Sequence, residues 1–151
     1  MVIDGGKRLG ETALTCMSMF LGQFEMKFTG LGRLALPKSL REEIIGRKIV
    51  LRMGEECLEG YCRQDWDSTF KLEERILDER RLIFSQSYSV EWDYQGRLVI
   101  PSPLLELAKL GTETVIIGVG DHFEIWDKSH WERKLATIEK EYGKLSPVRS
   151  S

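Results

Sequence analysis

The chain is poor in the residues that most often mark chemistry. Its 151 residues include three cysteines, Cys16, Cys57 and Cys62, and two histidines, His122 and His130. No two cysteines form a CxxC pair, and the two histidines do not complete a zinc pattern, so no metal is expected. An odd cysteine count without a framework argues against a disulfide scaffold and points to a reducing compartment, the cytoplasm. No apolar run approaches the roughly 18 residues that a membrane helix needs. Lys7-Arg8 followed by Ala13-Leu14-Thr15-Cys16 has the outline of a secretion signal, but Glu11 interrupts it, and the reading is rejected. Neither sign of charge dominates: a net charge of −2 and an isoelectric point near 5.8 do not suit a protein that coats nucleic acid indiscriminately. No serine or cysteine stands in a pattern with a histidine that suggests a triad, so an enzyme is not expected. Gly118-Val119-Gly120-Asp121 has the glycines of a phosphate loop without its spacing or following helix, and reads as a hairpin turn. Neither a cofactor nor a small-molecule substrate is implied.

What the chain does contain is a repeat. Gly32-Arg33-Leu34-Ala35-Leu36-Pro37 returns as Gly96-Arg97-Leu98-Val99-Ile100-Pro101. Leu40 then answers to Leu104, Gly46 to Gly111, and Ile49-Val50-Leu51 to Thr114-Val115-Ile116. Leu58-Glu59-Gly60-Tyr61 answers to Phe123-Glu124-Ile125-Trp126, and Asp65-Trp66 to His130-Trp131. Two copies predict two half-domains related by a pseudo-two-fold, not a many-repeat solenoid. Half this length seldom buries an adequate core alone, so the halves are expected to interlock.

Each copy reads as strand, turn, strand, short helix, two strands and a helix, an α+β pattern. In the first, Phe24, Met26 and Phe28 alternate with polar residues, Thr29 to Gly32 is a turn, and Pro37 opens a brief helix with Gly46 as its stop. Ile49-Val50-Leu51 and Cys57 to Cys62 are strands, and Trp66, Phe70, Leu72 and Ile76 suit one helix. In the second, Tyr88, Val90 and Trp92 alternate, Ser102 is expected to cap a helix with Pro103 in its first turn, and Gly111 is its stop. Val115 to Ile117 and Phe123 to Trp126 form a hairpin. From Asp127, the stripe Trp131, Leu135, Ile138 and Tyr142 marks a terminal helix whose apolar face packs inward or against another subunit.

The duplicated turn carries the functional signal. In Asp93-Tyr94-Gln95-Gly96-Arg97 the aspartate can accept backbone N–H groups and hold the Arg97 guanidinium. Arg97 is then either a structural ion pair or a binding group. The corresponding position in the first copy is Thr29, so Arg33 has no carboxylate at that position and suits a phosphate or a guanine edge. Lys27, Arg33, Lys38, Arg41, Arg47, Lys48 and Arg52 crowd the first copy against Glu42 and Glu43, whereas the equivalent stretch of the second is acidic on balance. If one copy faces a polyanion it is the first; the plain alternative is a solvated charged face.

These elements together resemble the MraZ family. Met19-Phe20-Leu21-Gly22, the turn ending Gly32-Arg33-Leu34-Ala35-Leu36-Pro37, and Leu40-Arg41-Glu42-Glu43 match its first half. Asp93 to Pro101, Gly118 and Phe123-Glu124-Ile125-Trp126-Asp127 match its second. The resemblance spans residues 19–142 and implies two tandem AbrB-like half-domains of the swapped-hairpin superfamily, 19–84 and 85–142, with a tail at 143–151. Residues 1–18 read as an extension or an early-called start. The resemblance further implies a bacterial transcription regulator, cytoplasmic and nucleoid-associated. It would assemble as a ring homo-oligomer and bind double-stranded DNA at promoter repeats of the division and cell-wall gene cluster. Arg33 would make base or phosphate contact, with Lys27, Lys38 and Arg41 as phosphate anchors. Arg97 would be a secondary contact or a structural element, and Gly32, Gly96 and Asp93 would shape the turns. The first turn departs from the family's Asp-x-Lys-Gly-Arg, with Thr29 for the aspartate and Leu31 for the lysine. That departure, with the acidic net charge, keeps open a ring-forming interaction scaffold that has lost operator binding. An antitoxin-type repressor of the same superfamily fits less well, since such chains usually carry one copy and a toxin-binding tail.

Overall fold

The computed structural model describes residues 18–143 and Leu145. The readings of residues 1–18 as a rejected secretion signal, an extension or an early start lie, Ser18 apart, outside the described residues, as does most of the tail. Among the described residues, no helix is long and apolar enough to cross a membrane.

Among the described residues there are eight strands, as the repeat predicts, and five helices, one more than its two per half. The first half contains β1 (Gln23–Lys27), β2 (Arg33–Ala35), α1 (Lys38–Arg41), β3 (Lys48–Met53), β4 (Leu58–Cys62), α2 (Arg63–Phe70) and α3 (Leu77–Ser85). The second contains β5 (Ser87–Glu91), β6 (Arg97–Val99), α4 (Ser102–Ala108), β7 (Glu113–Gly118), β8 (Phe123–Asp127) and α5 (Lys128–Tyr142). Six strands form one antiparallel sheet in the order β1-β7-β8-β4-β3-β5, and β2 and β6 form a separate ribbon. Exchanging the halves maps this order onto itself. Each half therefore lends its first strand to the other half's sheet, and neither could close its core alone.

The register locates the pseudo-two-fold axis. In the ribbon Leu34 faces Leu98, and at the sheet centre Glu59 faces Glu124; both pairs join equivalent residues. Leu34 and Leu98 are fully buried with Leu36, Ile100, Leu40 and Leu104 in a core drawn from both halves. Burying a side chain of this size contributes about 1.5–3 kcal/mol, so the ribbon is anchored by its inward face. Two equivalent clusters cover the opposite side of the sheet. Val50, Tyr61 and Trp66 pack under α2 and α3, while Val115, Trp126 and Trp131 pack against α5. On α5, Leu135 and Ile138 complete the stripe and Tyr142 stays exposed.

Three local expectations are corrected. The single helix from Trp66 to Ile76 ends at Phe70, where Lys71 turns left-handed at φ 49° and Arg75 donates Nε–H to the Phe70 carbonyl. Continuing the helix would bring Glu73 and Glu74 onto the Trp66–Phe70 face. A short 3-10 turn, Leu72–Glu74, buries Leu72 instead, and α3 starts afresh with Glu79 accepting the Ile76 N–H. Ser102 caps nothing: the Pro101 carbonyl accepts the Leu104 and Leu105 N–H groups, so Ser102 is already the first residue of α4. Lys109, left-handed at φ 51°, ends that helix rather than Gly111, whose N–H instead donates to Asp127 Oδ1 at 3.0 Å. Asp127 also caps α5 by accepting the His130 N–H, as its position predicts.

Candidate nucleic-acid interface

The ribbon β2–β6 sorts its side chains by strand alternation. Leu34 and Leu98 point into the core, so Arg33, Ala35, Arg97 and Val99 share the outward face. Arg33 stands opposite Val99 and Arg97 opposite Ala35. The two arginines are thus diagonal neighbours across the axis, about 7–8 Å apart at their Cα atoms. A two-stranded ribbon of this kind has the width that a DNA major groove admits.

Two glycine turns fix the ribbon's ends. Gly32 and Gly96 take positive φ of 70° and 78°, a conformation that side chains disfavour. Each then hands its carbonyl to the other repeat: Ile100 N–H donates to Gly32 O and Leu36 N–H to Gly96 O, both at 2.8 Å. These reciprocal bonds set the height of both turns relative to the ribbon.

The second turn is built as its sequence predicts. Asp93 Oδ1 accepts the backbone N–H groups of Gln95 and Arg97 at 2.8 and 3.0 Å, and Oδ2 accepts Arg97 Nε–H at 3.1 Å. The backbone bond from Arg97, followed by that from Gln95 and the guanidinium itself, holds the Asp93 carboxyl below its ordinary range despite some desolvation. Arg97 is consequently held in place. The first turn lacks this clamp: Thr29 donates its backbone N–H to Arg33 O at 2.9 Å. Arg33 is exposed, and its side chain makes no hydrogen bond or ion pair among the described residues.

The other expected contacts differ in how free they are. Lys38 is exposed on α1. Lys27 lies 3.6 Å from Glu113 across the β1–β7 pair, with both side chains largely in solvent. Arg41 is half-buried; its Nε–H donates to Leu36 O at 2.8 Å, and its guanidinium lies over Gly96, where an added Cβ would sit 2.7 Å from Arg41 Cζ. Arg41 therefore braces the second turn from the first repeat. Two residues that the sequence reading did not single out also sit here. Tyr94 projects from the second turn at 97% exposure, and the Arg47 guanidinium stacks over its ring at 5.2 Å while pairing with Glu91 at 3.3 Å. Arg47 was visible in the basic run, but its partner across the β3–β5 pairing was not.

A family model described as "MraZ protein, putative antitoxin-like" matches twice, over residues 19–80 and 83–144. A protein named Transcriptional regulator MraZ from Desulforamulus reducens (strain ATCC BAA-1160 / DSM 100696 / MI-1) is 35% identical over 138 residues, spanning 85% of this chain and 95% of its own length. Proteins of the same name from Roseiflexus castenholzii (strain DSM 13941 / HLO8) and Roseiflexus sp. (strain RS-1) are 33% and 32% identical over 128 residues, 80% of this chain and 90% of theirs.

Proposed function

This chain belongs to the MraZ family, and from that premise we propose that it is a sequence-specific DNA-binding transcriptional regulator. The observation that carries the reading is the β2–β6 ribbon, whose outward face presents Arg33 and Arg97 in equivalent positions across the pseudo-two-fold axis. Arg33, unclamped, contacts a base edge or phosphate, and Lys27, Lys38 and Arg41 anchor the backbone. Arg97, fixed by Asp93, makes a secondary contact or holds the ribbon in shape. The same reading makes the protein a ring homo-oligomer on promoter repeats of the division and cell-wall gene cluster, acting in the cytoplasm at the nucleoid. One ribbon with few cations binds weakly. Several copies spaced to match a DNA repeat raise avidity without a new contact.

Fluorescence anisotropy with DNA upstream of this protein's own gene, against scrambled DNA across a salt series, tests this. Tight binding that requires the upstream sequence and falls with salt, by about 0.9 in log–log slope per neutralised phosphate, is expected. Equal weak binding to both DNAs would favour the second reading, a ring-forming scaffold that engages a protein partner. Two features of the first turn favour that alternative: Thr29 in place of the clamping carboxylate, and Leu31 at 98% exposure where the family carries lysine.

A further inference from the structure

At the centre of the six-stranded sheet, β4 and β8 place Glu59 directly opposite Glu124. Like charges in this position destabilise a strand pair. The two carboxylates are largely shielded, with side-chain exposures of 18% and 19%, so solvent offers limited relief.

The surrounding groups orient both. Glu59 Oε1 accepts from Arg52 Nη1 and from the Tyr61 hydroxyl, each at 2.9 Å, and Glu124 Oε1 accepts the Trp126 indole N–H at 2.9 Å. His122, in the turn before β8, stacks on Tyr61 with ring centroids 4.9 Å apart. Its Nδ1 lies 2.7 Å from Asp121 Oδ1, and its Nε2 lies 3.3 Å from Glu124 Oε2. One ligand atom each from Glu59, His122 and Glu124 fall within 4.8 Å of one another.

With the Nδ1–H donated to Asp121, the Nε2 lone pair of the neutral ring faces a Glu124 carboxylate oxygen. The position between these two acceptors is filled by a proton on His122 or by a bound cation. The 3.3 Å separation is long for a charge-assisted hydrogen bond, typically about 2.7–2.9 Å. It matches the roughly 3.3 Å between two tetrahedral ligands each about 2.0 Å from zinc. A carboxylate on the far nitrogen of a ligating histidine is also the usual outer support of a zinc site. Asp121, Glu59 and Glu124 against Arg52 leave two unbalanced negative charges, the charge of one divalent ion. A groove of about 420 Å³ is bordered by Glu59, Glu124 and Cys57.

We propose that Glu59, His122 Nε2 and Glu124 form a binding site for a divalent transition-metal ion, zinc by its donor set, with water completing the coordination. The ion joins β4 of the first repeat to β8 of the second on the pseudo-two-fold axis. Asp121 is a positioning residue. Cys57 borders the groove beside these ligands.

The test titrates chelator-stripped full-length protein with zinc chloride against a chromophoric zinc indicator, and records the absorption spectrum with cobalt(II). Expected are one zinc per chain, a cobalt spectrum of tetrahedral nitrogen and oxygen coordination, and a higher thermal midpoint with zinc. His122→Gln and Glu59→Gln weaken zinc at least tenfold, and Asp121→Asn weakens it about tenfold to a hundredfold. His130→Gln, at the separate Glu56 contact, leaves it unchanged. No zinc uptake by the wild-type chain would overturn the proposal and leave a protonated His122 as the occupant. Uptake that His122→Gln retains would overturn it too. Should His122→Gln fail to fold, the wild-type cobalt spectrum decides: six-coordinate or sulfur-ligated cobalt rejects the site.

Discussion

The Phe123 ring occupies the space where Gly60 has no side chain: a Cβ added at Gly60 would lie 2.2 Å from Phe123 Cζ. The two residues face each other across β4 and β8, next to the axis pair Glu59–Glu124. Their counterparts in the exchanged halves are Ile125 and Leu58, so the repeats fill equivalent space differently, with a ring over a glycine in one pair and two aliphatic side chains in the other. Gly60→Ala is expected to destabilise by about 1–3 kcal/mol, because Phe123 is fully buried and edge-packed on Phe20 at 5.5 Å. Adding Phe123→Leu, the size found at Leu58, should recover part of that loss, giving a sub-additive cycle in urea unfolding.

A second close approach lies at Gly118. An added Cβ there would stand 2.3 Å from Leu21 N and 2.4 Å from the Phe20 carbonyl carbon, both backbone atoms that no rotamer can relieve. Gly118→Ala should break the paired bonds between Phe20 and Gly120, at 2.8 and 2.9 Å. Faster amide exchange at Phe20 and Gly120, with that of β4 little changed, is the expected readout.

Much of this fold is legible in the sequence because duplication supplies its own check. Alternation in Phe24 and Met26 and in Tyr88 and Val90 follows from local chemistry, whereas the first short helix ends at Arg41 with Glu42 as its cap, not at Gly46. The exchange of β1 and β5 between halves does not, because strand alternation specifies which face is buried and is silent on the partner. The break after Phe70 escaped because Trp66, Phe70, Leu72 and Ile76 are apolar at nearly helical spacing, while Glu73 and Glu74 veto the continued face. At the interface, the Asp93–Arg97 clamp was readable from a separation of four residues. The brace from Arg41 to the Gly96 turn, and the meeting of Glu59 with His122, depend on segments far apart in sequence.

Acid unfolding should report the Asp93 clamp. Its folded pKa is depressed by backbone and Arg97 hydrogen bonds. A depressed carboxylate contributes stability that is present above its unfolded pKa, about 3.9, and is lost as pH falls through the lower folded value. Asp93→Asn should therefore be less stable than wild type at pH 7, with the difference shrinking below about pH 4. Urea midpoints from pH 2.5 to 7 measure this, and a difference independent of pH would refute it.

Arg33→Ala and Lys38→Ala should fail differently on DNA. Loss of a base-reading arginine costs about 1–3 kcal/mol per contact and relaxes sequence preference, whereas loss of a phosphate anchor weakens all sequences alike and lowers the salt slope by about 1. Arg97→Ala should also lower stability modestly, since it removes the half-buried pair with Asp93. Anisotropy against upstream and scrambled DNA, with unfolding curves, separates the three. Identical losses on both DNAs for Arg33→Ala would make it a phosphate contact.

Restoring the missing clamp provides the converse experiment. In the second turn a carboxylate four residues before the arginine collects two backbone N–H groups and the guanidinium. Thr29 offers a hydroxyl on a shorter branch, and the Arg33 side chain is left unfixed. Thr29→Asp should reproduce the second turn's bonding around Gly32, already at φ 70°, and each hydrogen bond gained contributes about 0.5–1.5 kcal/mol. Fixing the guanidinium before contact lowers the entropy lost on binding, so affinity for upstream DNA should rise without an added cation. Leu31→Lys adds a cation instead, and should raise affinity for any DNA while steepening the salt dependence. If Thr29→Asp stabilises the fold yet weakens DNA binding, then the free Arg33 is the working arrangement, and the departure of this turn from its second-repeat counterpart is an adaptation to this chain's own operator.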